Sequence, residues 1–474
     1  MRSQTKDCPS ARPLSVSQPQ KALTGNKEMI IGLMMPMMMM VMNASMFSVA
    51  IPAIRDTFGL QADTTAWLVT AYSLPLVISM PLYGRLSDGF GKRRLFMVGI
   101  GIYFVGTLVS FLAPDFHLLV VGQAIQGIGV GAINPLSIAI ISERFPIEER
   151  GAALGTWNSM GPVGAIIAPL MGGFFVDHLG WNTLFLPVLL LALIAFYAIK
   201  EQIPAGDRQF VQPGFLRSFD WLGVILLSGL VSTLVFYLSS RPVTGVAPLR
   251  DWRLLVGGVL LLAGFIFWEM RHADPFVNLK TFSALNFSRA SVLSSIRMFL
   301  MMSIGFLIPL YLTDIFALEA TKVGFIMMLR AVALLVTMRL GGQLADHWPS
   351  RWLVSGGLGI QMITFIYFAR LSENVPQGAV SFGLIVFGLG AGISLAALHR
   401  TAMNHISQQQ MGSAAGLYSM IRMEGVVLGA AVCGVLLQFG MDRQMATLDA
   451  FHMVFWFVSA VGLLGVLLGW GLGD

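Results

Sequence analysis

The sequence predicts an all-α integral membrane protein: two six-helix bundles with two additional helices between them, about fourteen spans in all. Three observations predict it. Hydrophobic residues make up 56% of the 474 positions and charged residues only 11%, against about 25% charged in soluble domains. Apolar runs of near or above ~20 residues, the length that crosses a hydrocarbon core, recur along the whole chain. Lysine and arginine collect in alternate loops between those runs. A soluble fold of this composition would lack the polar surface to cover its core, and the ten-residue alternation of a membrane barrel is absent.

The expected spans are residues 29–52, 66–84, 94–113, 116–140, 151–175, 181–199, 219–238, 253–270, 287–312, 321–344, 351–370, 378–399, 412–440 and 449–472. If they alternate, the N-terminal tail and the loops on its side hold nineteen Lys and Arg, the opposite loops seven, and four arginines fall within spans. That asymmetry places both termini in the cytoplasm and requires an even number of spans. Residues 1–28 are polar, rich in Ser, Gln and Pro, and read as a disordered cytoplasmic tail rather than a signal peptide. The net charge of +6 is spread through short loops, so it reads as a topology signal and not a nucleic-acid footprint. The two cysteines, Cys8 and Cys433, form neither a disulfide framework nor a metal pair.

The longest loop on the tail side contains Pro204, Gly206, Pro213 and Gly214, and a second polar stretch runs from Arg271 to Arg289. They divide the chain into an N-terminal six-helix bundle (29–200), a linker with the two extra helices (201–286) and a C-terminal six-helix bundle (287–474). Two parallel six-helix halves around a central site are an architecture that membrane transporters use.

Between spans two and three stands Gly84-Arg85-Leu86-Ser87-Asp88-Gly89-Phe90-Gly91-Lys92-Arg93-Arg94. Its glycines allow a tight turn, Asp88 can hold a helix N-terminus, and its basic residues anchor the loop. The stretch resembles the loop signature G-x-L-A-D-R-x-G-R-K of the major facilitator superfamily, with Ser87 for Ala and Gly89 for Arg. A degenerate echo, Gly342-Gln343-Leu344-Ala345-Asp346, stands at the corresponding place in the second half. Span five carries Gly155, Gly161, Pro162, Gly164, Pro169, Gly172 and Gly173, similar to the superfamily's antiporter helix, with Ala168 for a usual Gly. Small residues permit close helix packing whether or not the helix gates. The layout and signatures together resemble the fourteen-helix drug:proton antiporter branch. The resemblance implies a multi-pass protein of the cell membrane, alternating access, and proton-driven export of amphiphilic small molecules. Facilitated uptake or lipid translocation by the same fold is the alternative within transporters.

The sequence departs from that branch where charge is expected. Asn43 stands in place of an acid in span one, and Gln123, followed by Gln126, in place of a base in span four. The intramembrane charges lie instead in the second half: Arg297, Arg330, Arg422 and Glu424. Each sits some ten residues into its span, roughly 15 Å deep at 1.5 Å per residue, where a charge costs ~2.5–3.5 kcal/mol on the lenient insertion scale. Arg339, nearer a span end, can snorkel. Two arrangements fit. One is an interhelical salt-bridge network around Glu424, which leaves at least one arginine unpaired. The other is a site for an anionic amphiphile, since guanidinium forks suit carboxylate and phosphate, with Glu424 available to exchange protons. The 29 methionines, among them Met34, Met35 and Met37 to Met40, serve as packing filler or as an adaptable apolar lining. No H-E-x-x-H, G-x-S-x-G or P-loop is present, so neither an enzyme, a metal nor a cofactor is expected.

A topological prediction follows. Single cysteines introduced at residues 20 and 245 are expected to label from opposite sides of the membrane; labelling of both from one side overturns the even-span reading.

Overall fold

A computed structural model describes residues 19–203, 219–239, 250–272, 284–403 and 411–472. The loops 204–218 and 273–283, where the sequence divides the chain, lie outside them, as do residues 1–18 of the tail. The described chain is almost entirely helical. The first bundle comprises α1 (Pro19–Phe58), α2 (Ala62–Phe90), α3 (Lys92–Phe111), α4 (Phe116–Val130), α5 (Ile133–Arg144), α6 (Ile147–Asn158), α7 (Met160–Leu179) and α8 (Phe185–Gln202). The extra pair is α9 (Trp221–Ser239) and α10 (Trp252–Arg271). The second bundle comprises α11 (Leu285–Phe316), α12 (Ala320–His347), α13 (Ser350–Phe368), α14 (Gln377–Met403), α15 (Met411–Asp442) and α16 (Thr447–Trp470).

Helices α4 and α5 together make one crossing and α6 and α7 another, so fourteen crossings result. Among the described residues thirteen segments are long and apolar enough to span by length and composition. The fourteenth, α13, is diluted by Arg351, Gln361 and three glycines, yet it packs between α14 and α16. Helix α1 begins at Pro19, inside the tail expected to run to residue 28, because the helical backbone continues past the end of the apolar run.

The loop signature forms the end of α2 and the start of α3. Gly91, between them, has φ +85°, a conformation that L side chains rarely adopt. Lys92 pairs with Glu143 at 2.6 Å, and Arg93 donates to the Lys200 carbonyl at the C-terminus of α8. At the corresponding place in the second bundle, Arg400 donates to the Ala345 carbonyl near the end of α12. Basic side chains thus satisfy orphan carbonyls at helix C-termini in both bundles. The side chains of Asp88 and Asp346 lie outside the described residues.

The bundles meet along two seams, α7 on α12 and α2 on α15, and α1 also touches α11. At the end of the molecule opposite the loop signature, both seams close by the same device. On α7, Gly173 has no room for a side chain: a Cβ would stand 2.6 Å from Thr321 Cα. One turn later the Asp177 carboxylate accepts from the Ala320 and Thr321 amides at 3.0 and 2.7 Å and from the Thr321 hydroxyl at 2.6 Å. On α15, a Cβ at Gly434 would stand 2.5 Å from Ala66 Cβ. One turn later Gln438 Oε1 accepts from the Ala62 amide at 2.9 Å. The pairs Gly173/Asp177 and Gly434/Gln438 occupy equivalent helices of the two bundles. Neither Gln61 nor Glu319, at the N-cap positions of α2 and α12, caps its own helix with its side chain. Each helix therefore takes its cap from the opposite bundle. Between the seams Arg55 forks onto Asp314 at 2.7 and 2.6 Å, and Ser48 donates to the Gly305 carbonyl.

This closure predicts the effect of Asp177→Ala. An N-cap acceptor contributes about 1 kcal/mol, so the ratio of molecules closed to molecules open at this end is expected to fall about fivefold. Spin labels on Thr57→Cys and Glu319→Cys, with the two native cysteines replaced by Ser, should report a longer distance in that variant. They should do so more strongly in Gly173→Leu; unchanged distance distributions in both would show that the contact does not hold the halves.

Candidate substrate and coupling site

The residues singled out by sequence fall into two groups of opposite character. In the first bundle they form a neutral network. Asn43 Nδ2 on α1 donates to Gln126 Oε1 on α4 at 2.9 Å, and Gln126 Nε2 donates to Ser110 Oγ on α3 at 2.9 Å. The Tyr72 hydroxyl stands beside Asn43, and Tyr103 beside Tyr72. Asn43, Gln123 and Gln126 are all buried. Asn43 Oδ1, Gln123 Nε2 and the two tyrosine hydroxyls keep no hydrogen-bond partner among the described residues. Such atoms are costly in a dry site and are the ones that ordered water serves. Gln123 therefore does not join Gln126 in its bonds to Asn43 and Ser110.

The glycine and proline positions of α7 serve contacts between helices. Gly161 faces Met37 on α1 and Gly172 faces Met46. The Pro169 carbonyl lies against Gly324 of α12, where a Cβ could not fit. Met37 and Met46 thus fill the seam between α1 and α7, the packing role of methionine.

In the second bundle the charges divide by surroundings. Arg297 on α11 is 2% exposed. Its Nε and Nη2 donate to the Ala391 carbonyl of α14 at 3.2 and 2.8 Å, and Nε also to Ser394 Oγ at 3.2 Å. This guanidinium is pinned to a neighbouring backbone. Arg330 on α12 is half-buried and makes one long bond among the described residues, 3.4 Å to the Met301 carbonyl. Arg422 on α15 is half-buried and its Nε has no partner among the described residues. Glu424 is half-buried, and its Oε1 is likewise unpartnered. Among the described residues no ion pair includes Glu424 or any of these three arginines. The network centred on Glu424 that the sequence allowed is thus not formed here.

Two groups that sequence reasoning missed stand with the arginines. His399 near the end of α14 and Tyr418 on α15 have ring centroids 5.1 Å apart. Tyr418 precedes Arg422 by four residues, one helical turn, and that spacing was legible. His399 lies close enough to its span end to read as a loop residue.

The chain matches the family model described as Major Facilitator Superfamily over residues 33–430, and again over 290–473. It is 26% identical to "Multidrug resistance protein Stp" of Mycobacterium tuberculosis (strain CDC 1551 / Oshkosh), over 84% of this chain and 73% of that protein. It is 23% identical to "Riboflavin transporter RibZ" of Clostridioides difficile (strain 630), over 91% of this chain and 94% of that protein. Among solved structures, the D-xylose-proton symporter superposes with a TM-score of 0.69 at 14% identity, covering 94% of this chain and 98% of that one. The chain belongs to the Major Facilitator Superfamily and is a membrane transporter of small molecules, not an enzyme.

Proposed function

We propose that this transporter exports anionic amphiphiles across the cell membrane, with both termini in the cytoplasm, in exchange for protons carried on Glu424. The observation that carries the reading is the state of Arg330 and Arg422. Two half-buried guanidiniums deep in the second bundle share one long hydrogen bond and no carboxylate among the described residues. A cation entering that field is repelled in a low-dielectric site, where charge costs far more than in water. A carboxylate, sulfonate or phosphate finds guanidiniums that no carboxylate pairs with among the described residues. Met301 and Met302, partly buried nearby on α11, supply an apolar surface that adapts to varied bodies.

Export follows the relative whose name records multidrug resistance, and proton exchange follows the signatures of the drug:proton antiporter branch. The neutral network around Asn43 offers no group that titrates near neutrality. Glu424, with a carboxylate oxygen that no donor holds, is the mid-depth group able to take and release a proton. Alternating access then requires the seal at Asp177, Gln438 and Arg55 to break once per cycle, while the end bearing the loop signature closes.

Transport in proteoliposomes with an imposed pH gradient tests both parts. Naphthalene-2-sulfonate is expected to accumulate and tetraphenylphosphonium is not. Arg330→Ala should weaken apparent affinity for the sulfonate about tenfold or more, since charge-assisted bonds contribute ~1.5–3 kcal/mol. Robust transport of the phosphonium overturns the anion reading.

For Glu424→Gln, accumulation driven by the pH gradient should be lost while sulfonate counterflow, which needs no net proton movement, persists. A variant that still accumulates against the gradient would place the proton elsewhere; wild-type transport indifferent to pH would identify facilitated movement.

A further inference from the structure

Arg297, Arg422, His399 and Tyr418 converge where α11, α14 and α15 meet. Tyr418 and Arg422 are one turn apart on α15, and Ser294 and Arg297 are about one turn apart on α11, so two stripes face each other. Close contact of Gly425 with the Ser295 carbonyl fixes that approach. The Tyr418 hydroxyl faces Ser294, and Arg422 Nε makes no hydrogen bond among the described residues. Tyr418 is 1% exposed. His399, packed edge-on to the Tyr418 ring with 63° between the planes, is solvent-exposed. It lies within the field of both arginines, which also repel each other. No described carboxylate reaches any of the four within ion-pair distance. Two like charges and two neutral donors brought together without a counter-charge form a costly arrangement that an anion relieves.

We propose that Arg422, His399 and Tyr418 form an oxyanion-binding subsite that takes a carboxylate, sulfonate or phosphate group, with Arg297 held behind it as a fixed positive field. Arg422 Nε, the Tyr418 hydroxyl and an imidazole N–H are the donors. Arg297, tied to Ala391 and Ser394, positions α11 against α14 and adds potential without touching the ligand. The site is off-centre. His399 is four residues from the end of α14 and Tyr418 seven from the start of α15, both at the end that bears the loop signature. An entering amphiphile therefore lodges its charged head here first, with its apolar body directed inward toward Arg330 and the methionines. This assignment rests on the anion reading above, shares Arg422 with it, and adds His399 and Tyr418 as donors.

The test uses full-length protein in phosphatidylcholine nanodiscs, titrated calorimetrically with naphthalene-2-sulfonate, with thermal unfolding recorded for every variant. Arg422→Gln and His399→Gln should each weaken binding about tenfold or more at unchanged thermal midpoint. Tyr418→Phe should weaken it by a few-fold, and Arg422→Lys should retain part of the affinity. Full affinity in Arg422→Gln and His399→Gln, alongside weakened binding in Arg330→Ala, overturns this subsite and leaves the anion reading standing. Absence of sulfonate binding in the wild type overturns both. Competition by added phosphatidylglycerol in the wild type, lost in Arg422→Gln, supports the subsite and identifies its occupant as a lipid headgroup. If Arg422→Gln lowers the thermal midpoint, Arg422→Lys and Tyr418→Phe decide: full affinity in both overturns the proposal.

Discussion

Two helix starts that cannot cap themselves govern this molecule. The first turns of α2 and α12 present amides that their own N-cap side chains leave unserved, and Gln438 and Asp177 of the opposite bundle accept from them. In a bilayer, apolar burial does not drive helices together, so close packing and polar bonds must. Gly434 and Gly173 provide the close packing, and the caps provide the bonds. Because each bond joins the two bundles, separating them there exposes amide donors that must find water or pay for the loss. The seal and the opening that transport requires are therefore set by the same atoms. They are not equal in strength, because one acceptor is a carboxylate and the other a neutral amide. The α12 side holds more tightly through charge-assisted bonds.

The bundles have divided their chemistry. The first is stitched inside by neutral side chains, Asn43 to Gln126 to Ser110, which specify how α1, α3 and α4 sit without placing charge in the hydrocarbon. The second carries arginines at mid-depth, and one of them, Arg297, is spent on holding α14 to α11. That role is structural, and it leaves Arg330 and Arg422 with one long bond and one unpartnered Nε among the described residues. The extra pair sits against both at their margin: α9 lies against α2 and α15, and α10 packs chiefly on α9.

Much of this was legible from residues alone. Span count follows from the lengths of apolar runs, and Gly91 as a turn follows from its place between basic residues and a helix. The close-packing role of Gly172 and Gly173 follows from their size. What escaped depends on tertiary partners. Arg297 and Arg422 lie at similar depth with similar neighbours in sequence, and only the position of α14 pins the one while Nε of the other stays unpartnered among the described residues. Asp177 reads as a loop acid because its partners are backbone amides more than 140 residues away. His399 reads as a terminal residue until Tyr418 is placed against it. The α13 crossing is weak in hydropathy because its neighbours, not lipid, surround Gln361, which is fully buried.

The uneven distribution of charge has an electrical consequence. A half whose mid-depth guanidiniums have no ion-pair partner among the described residues, rocking against a half stitched by neutral side chains, would shift positive charge within the membrane field whenever the protein reorients without an anion. One elementary charge carried through the whole field is worth ~2.3 kcal/mol per 100 mV, and a partial displacement a fraction of that. On the proposed reading, an anion seated on the arginines cancels part of the moving charge, so voltage acts mainly on the proton-loaded return. Membrane potential then sets how quickly the transporter resets rather than how tightly it grips its cargo.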